Sequence, residues 1–229
     1  MNDADWIIAD EGVRGEWLAS SDTSVGSHPA VLFVRDPLTG PADARAVAME
    51  LVQLGYRVLW VDTDSMSSPQ SAPDPPSDGT DGLWEREEAY SDRPAVRQLG
   101  LLAEAMGTGR AAVVGVGMGA TWALLLGCQS VGVSAVASVN GRLVYPRLSV
   151  TKPVQPLEMI LNLSAPVLLL DDSEGEGAAG EQIELALERF AAFGIEAEGG
   201  GISPSRSADE GPAARVAERL HLFLSSVPR

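Results

Sequence analysis

The stretch Val113-Val114-Gly115-Val116-Gly117-Met118-Gly119-Ala120-Thr121-Trp122-Ala123-Leu124-Leu125-Leu126-Gly127 decides how this chain is read. A short apolar run opens it, three alternating glycines follow, and a run of Ala, Leu and Trp closes it: strand, sharp turn, helix. The frame Gly115-Val116-Gly117-Met118-Gly119 has the spacing of a nucleophile elbow, G-x-S-x-G or G-x-C-x-G. In such an elbow the glycines permit a strained turn that lifts the central side chain to the helix N-terminus and its oxyanion-binding N–H groups. Gly117 stands at the centre, so the frame is kept and the nucleophile is missing. The same residues also satisfy a dinucleotide fingerprint as Gly115-x-Gly117-x-x-Ala120. Against that, the turn lies halfway along the chain, and Val139-Asn140-Gly141 ends the next strand without an acidic residue for a ribose. A third reading gives the glycines a packing role only, which is compatible with the first.

Outward from this turn, short apolar runs predict buried strands at 30–34, 57–61, 111–114, 134–139, 166–170 and 195–198. Between them, helical periodicity predicts helices at 41–54, 84–90, 94–106, 121–129, 181–193 and 212–224, with Gly55 and Gly194 as stops and Pro212 in a first turn. Residues 142–163 are interrupted by prolines and read as loop with a short helix, and the Pro/Ser/Asp-rich 65–82 reads as a long loop or lid. Strands alternating with helices, and apolar along their whole length, imply one α/β domain over 1–229: a mostly parallel sheet with helices on both faces.

The formal charge of -16 disfavours a nucleic-acid surface or a patch for anionic lipids, since both need clustered Lys and Arg. No charge occurs between Arg110 and Arg142, a span long enough for a bilayer. Its glycines, Gln129 and Asn140 break it into pieces that suit a buried strand, helix and strand better. Cys128 is alone, so no internal disulfide forms, and with only His28 and His221 for imidazole no metal or cofactor is implied. The acidic start MNDADWIIADEG lacks the regions of a signal peptide, and a cytoplasmic location is expected. Lys152 is the only lysine, which with abundant Arg, Ala, Gly and Asp reads as the coding bias of a GC-rich genome.

Through most of its length the chain resembles the dienelactone hydrolase family, which has an α/β-hydrolase fold. Val31-Leu32-Phe33-Val34-Arg35-Asp36 matches a strand followed by an acidic residue facing the active site. Gly55-Tyr56-Arg57-Val58 and Val61-Asp62 look like the family's G-Y-x-x and P-D, and Arg86-Glu87-Glu88-Ala89-Tyr90 resembles R-E-x-A-Y, whose Arg and Tyr line the pocket. Ala165-Pro166-Val167-Leu168-Leu169 matches the strand leading to the acid of the triad. The departures are larger. Gly117 replaces the nucleophile, Asp171-Asp172-Ser173-Glu174 offers carboxylates without the family's spacing, and Gly199-Gly200-Gly201-Ile202-Ser203 stands where the histidine loop is expected.

Loss of nucleophile and base together predicts a protein that no longer uses acyl-enzyme chemistry; removal of triad members costs on the order of a million-fold. Positioning, worth about 7–11 kcal/mol, and one acid or base, worth roughly 10²–10⁴-fold, still suit cyclisation, isomerisation or elimination. The alternatives are a non-catalytic binding or scaffold protein and a weak residual hydrolase using a carboxylate and water. The expected small-molecule site comprises Asp36 as base or acceptor, with Arg86 and Tyr90 as orienting or oxyanion groups. Gly117 and Met118 are expected to contribute backbone N–H groups, with extra room where the nucleophile is absent. Trp122 and Trp84 are expected as apolar walls, and Asp171 and Ile202 as groups at the strand ends. Each has a plainer role: Asp36 as a helix cap, Arg86 as a solvated charge, Tyr90 and Trp122 as packing, Asp171 as a hydrated loop residue.

Overall fold

The computed structural model describes residues 6–8, 12–18, 30–66, 81–107, 110–129, 132–171, 178–202 and 211–227. Strands β1 (Trp6–Ile8), β2 (Arg14–Leu18), β3 (Ala30–Val34), β4 (Arg57–Val61), β5 (Ala111–Val116), β6 (Val133–Val139), β7 (Val167–Asp171) and β8 (Ala197–Gly201) form one sheet. Their spatial order is β1-β2-β4-β3-β5-β6-β7-β8. The first two strands and the β2–β4 pair run antiparallel, and every other pair is parallel.

Helices α1 (Pro41–Gln53), α2 (Asp81–Glu88), α3 (Asp92–Ala105), α4 (Met118–Gly127), α5 (Pro156–Met159), α6 (Ala178–Ala192) and α7 (Pro212–Ser226), with a 3-10 turn at Ile160–Asn162 after α5, complete the described elements. Successive side chains of a strand face opposite ways, and β3 shows the result. Leu32 and Val34 join α3, α4 and α6 in one core, while Val31 and Phe33 join α1 and α7 in the other. The charge-free segment 111–141 is the middle of this sandwich. In it α4 is buried on all sides, as a helix apolar all round must be. Among the described residues no helix is long and apolar enough to cross a membrane.

Strands β3 and β4 fall where the apolar runs put them. Strand β5 runs to Val116 and α4 starts at Met118, three residues earlier than the helical pattern alone predicts. The turn is therefore a single residue, Gly117. Strand β8 is displaced toward the C-terminus of its expected run, onto Gly199–Gly201. Strand β1, at the sheet edge, and β2 beside it were not among the expected strands, although β1 is the short apolar run Trp6-Ile7-Ile8. Strand β2 is held instead by pairing with β4, by Arg57 lying over the Trp17 ring at 4.7 Å, and by Gly15 abutting Leu59.

Candidate active site

The three glycines of the elbow do different things. A Cβ on Gly115 would run into the Gly119 carbonyl and come to 2.5 Å from Ala120 Cα, and one on Gly119 would run into the Val34 carbonyl. Backbone cannot yield there, so these two glycines serve close packing of α4 on the sheet. Gly117 has φ 58 and ψ -126, the strained corner of an elbow, and its N–H is used by the Val139 carbonyl at 2.9 Å. The three atoms nearest a Cβ at Gly117 all belong to the Asp36 side chain. Such a Cβ would overlap the Asp36 carboxylate, reaching 2.8 Å from Asp36 Cβ and Cγ.

Asp36 follows the C-terminal end of β3, where ligands bind in open parallel sheets. Its Oδ1 accepts from Leu38 N at 2.8 Å, and the backbone of Met118 at the start of α4 favours the charged carboxylate. These are the two places, after the elbow and after the third strand, from which an oxyanion hole of this fold draws its N–H groups. The space left by the nucleophile is therefore not extra room, contrary to the sequence expectation: a carboxylate fills it. Burial pushes the Asp36 carboxyl above its ordinary value of 3.8, and the negative Glu87 adds to this. The Leu38 and Met118 amides and Arg35 pull the other way without overcoming it.

A cavity of about 390 Å³ opens beside this carboxylate. Asp36 and Thr39 contribute from the loop after β3, Val116, Gly117, Met118 and Thr121 from the elbow, and Asn140, Gly141 and Arg142 from the end of β6. Leu83 and Glu87 of α2, Gln182 of α6, and Tyr145 and Lys152 of the following segment close it. Arg142 is gripped by Glu87 through two bonds of 2.8 and 3.1 Å, and its backbone N–H donates to Thr121 Oγ1 at 3.0 Å. Gln182 Oε1 accepts from both Leu143 N and Val144 N at 3.2 Å, pinning the segment that carries Tyr145.

Behind one wall lies a buried polar network. Lys152 is 1% exposed, and its Nζ is 2.6 Å from Asp92 Oδ1. That oxygen also accepts from Trp122 Nε1 at 3.0 Å, and Oδ2 accepts from the Tyr145 hydroxyl at 2.8 Å. Burial, and then the neighbouring Asp92 carboxylate, push the Tyr145 phenol far above its usual range.

Of the residues expected from the sequence, Asp36, Gly117 and Met118 line this cavity together, and the rest do not. Arg86 donates to the Leu38 carbonyl at 3.2 Å, bracing the loop that carries Asp36. Tyr90 is half-buried with its ring 6.2 Å from that of Trp122, and burial raises its pKa. Trp122 is in the core, and Trp84 packs its ring 5.4 Å from that of Tyr145. Asp171 is buried at the end of β7, and Ile202 packs on the α1/α7 side of the sheet. Asp172, Glu174, Ser203, His28 and the 67–80 part of the proposed lid lie outside the described residues. His221 sits on α7 with Nδ1 3.0 Å from the Tyr56 hydroxyl. Glu87, Arg142, Tyr145 and Lys152 were not singled out. The one signal was that Lys152 is the sole lysine among fifteen arginines. Among the described residues no group of three metal-ligating side chains occurs.

No family profile and no curated protein matches this chain in sequence. Solved structures do match it in shape. A Klebsiella pneumoniae protein named as a dienelactone hydrolase superposes with a TM-score of 0.77 at 18% identity, over 98% of both chains. A dienelactone hydrolase-like promiscuous phosphotriesterase from metagenomic libraries gives 0.66 at 15% identity, again over 98% of both. An α/β hydrolase of Sphaerobacter thermophilus gives 0.61 at 16% identity, over 95% of this chain and 99% of that one. At these identities the likeness fixes the fold: this is an α/β-hydrolase fold with dienelactone hydrolase-like architecture.

Proposed function

We propose that this chain is a hydrolase-fold protein that has given up acyl transfer and acts as a cofactor-independent cyclase, isomerase or lyase on a small, largely apolar molecule. The observation that carries the proposal is the Asp36 carboxylate, which occupies the place of a nucleophile side chain at the elbow and borders the cavity. An acyl-enzyme route needs a nucleophile at 117 and free N–H donors for the tetrahedral oxyanion. Here position 117 has no side chain, the Asp36 carboxylate stands in its place, and Leu38 N already donates to it. A half-buried carboxylate with a raised pKa suits a different task, taking a proton from carbon or oxygen and returning it. Its reach into a cavity bounded by Leu83, Val116 and Met118 favours an apolar substrate with few polar groups. The same anion at the N-terminus of α4 argues against a dinucleotide there, because its pyrophosphate needs that position.

Arg86 and Tyr90 act in this reading through the loop and the packing around Asp36 rather than on the substrate. The proposed setting, bacterial specialised metabolism such as polyketide tailoring in the cytoplasm, rests on the coding bias and the missing nucleophile. A second reading, a binding protein without turnover, draws on one observation: each charged group of the cavity wall already has a partner. Glu87 holds Arg142, Lys152 holds Asp92, and the Leu38 amide holds Asp36.

The two readings separate in a mass-resolved comparison of metabolites from the producing strain and one lacking this gene, complemented with wild type or Asp36→Asn. The proposal expects an accumulating species of the same mass as the lost product for a cyclase or isomerase, or a heavier one for a lyase. Only wild type restores the product. An unchanged profile overturns it in favour of binding.

A further inference from the structure

The sole lysine of the chain is buried where an arginine-rich sequence would be expected to place no cation at all. Fifteen arginines carry every other permanent positive side-chain charge, and most of the described ones reach solvent or an exposed acidic partner. Lys152 is 1% exposed and lines the cavity. Burying an ion pair is a poor device for stability, because the desolvation of both charges offsets their attraction, and well-packed apolar residues usually do as well or better. A buried pair facing a cavity therefore calls for another explanation.

The network around Lys152 is built to hold an ammonium still. Asp92 receives three donors, from Lys152 Nζ, Trp122 Nε1 and the Tyr145 hydroxyl, at 2.6, 3.0 and 2.8 Å. The ammonium also lies 5.9 Å from the Trp122 ring centroid and 5.4 Å from that of Tyr145. An ammonium has three N–H donors and no acceptor, and the bond to Asp92 uses one of them. A compact point charge fixed in this way, in a cavity that Asp36 also lines, is the arrangement that stabilises an oxyanion as it forms.

We propose that Lys152 is the oxyanion-stabilising residue for a carbonyl substrate whose α-carbon loses a proton to Asp36, which names the substrate class as an enolisable ketone or 1,3-dicarbonyl. This rests on the reading of Asp36 as the base. In the step, the α C–H bond breaks and its proton passes to the Asp36 carboxylate. The electron pair forms the carbon–carbon double bond, and the carbonyl oxygen becomes an enolate oxygen held by a Lys152 N–H. Collapse of the enolate onto a second carbonyl closes a ring, reprotonation elsewhere isomerises, and expulsion of a β-substituent eliminates. In each the proton on Asp36 is returned to the product or the leaving group, so no oxidant or second reactant is needed.

Two probes test Lys152 separately from Asp36. Replacing the pair together, Lys152→Met with Asp92→Asn, removes both buried charges and leaves neither unpaired, and a urea melt of the variant checks that it stays folded. The first probe is 4-nitrophenol bound to Asp36→Asn protein, where residue 36 imitates the protonated base. At the pH where the free phenol is half ionised, the bound dye is expected to be phenolate by about tenfold, a one-unit shift. The pair replacement in that background is expected to abolish the preference. The second probe is α-hydrogen exchange of cyclohexanone in D₂O with Asp36 intact, expected to slow by about 10²–10³-fold in the pair variant. A phenolate preference that is absent at the outset, or that survives the pair replacement, overturns the role of Lys152. So does exchange at the wild-type rate in the pair variant. If Asp36→Asn exchanges as fast as wild type, it is the base that falls, and the phenolate preference still judges Lys152 alone.

Discussion

Asp36 and Asp92 flank the same cavity, one on its wall and one a side chain behind it, and they are held in opposite ways. Asp36 is bound by the Leu38 amide of its own loop, with Glu87 as a repelling neighbour, and burial pushes its carboxyl up. Asp92 is 3% exposed and saturated by three side-chain donors from separate parts of the chain. The first arrangement leaves a carboxylate able to change its protonation state. The second fixes one so that it can fix a lysine. A buried carboxylate is thus read by its partners rather than by its burial.

The largest effect is expected where the fixed carboxylate is removed. Asp92→Ala strands the Lys152 ammonium and two further donors, and should cost about 3–5 kcal/mol in urea unfolding. A loss below about 1 kcal/mol would mean that the network is looser than its distances imply. Next is Gly117→Ser, which should cost about 1–3 kcal/mol through overlap with Asp36 and confer no hydrolysis of 4-nitrophenyl acetate. Combined with Asp36→Ala, most of that cost should vanish, a coupling of about 1 kcal/mol or more in a double-mutant cycle. Additive losses would place the strain in the backbone corner instead.

The contrast also explains what could be read in the sequence. The elbow and β3, which bring Asp36 and Gly117 together, are local patterns: apolar runs of strand length, and glycines at fixed spacing. The network of Asp92 is assembled from residues 92, 122, 145 and 152, none adjacent, and no periodicity marks it. Likewise the match at Arg86–Tyr90 found the right helix and the wrong face. One step along a helix turns a side chain by about 100°, so Glu87 reaches the cavity while Arg86 turns to the Leu38 carbonyl. Strand β2, Arg14-Gly15-Glu16-Trp17-Leu18, is made a strand by its pairing with β1 and β4 rather than by its own composition. Trp6-Ile7-Ile8 of β1, by contrast, is apolar but only three residues long.

Smaller effects sharpen the Asp36 side. Its raised folded-state pKa means that the folded protein binds this proton more tightly than the unfolded chain. The contribution is fully present below 3.8 and is lost as pH rises through the folded-state value. Wild type should therefore lose stability relative to Asp36→Asn as pH rises above 3.8, in paired urea melts across that range. A constant difference would leave the carboxyl unperturbed. Smallest of all, Arg86→Ala and Tyr90→Phe should each change stability by about 1 kcal/mol or less, and lower turnover only modestly because neither lines the cavity. A loss of turnover as deep as that of Asp36→Asn would return them to the substrate.

The most direct test of Asp36 as a base is the pH–rate profile of cyclohexanone α-hydrogen exchange in D₂O, followed by proton NMR, for wild type and Asp36→Asn. The account predicts protein-catalysed exchange whose rate falls at low pH through a single group titrating above 3.8, and which Asp36→Asn abolishes. Exchange that is no faster than buffer with wild type, or that persists in Asp36→Asn, would contradict it.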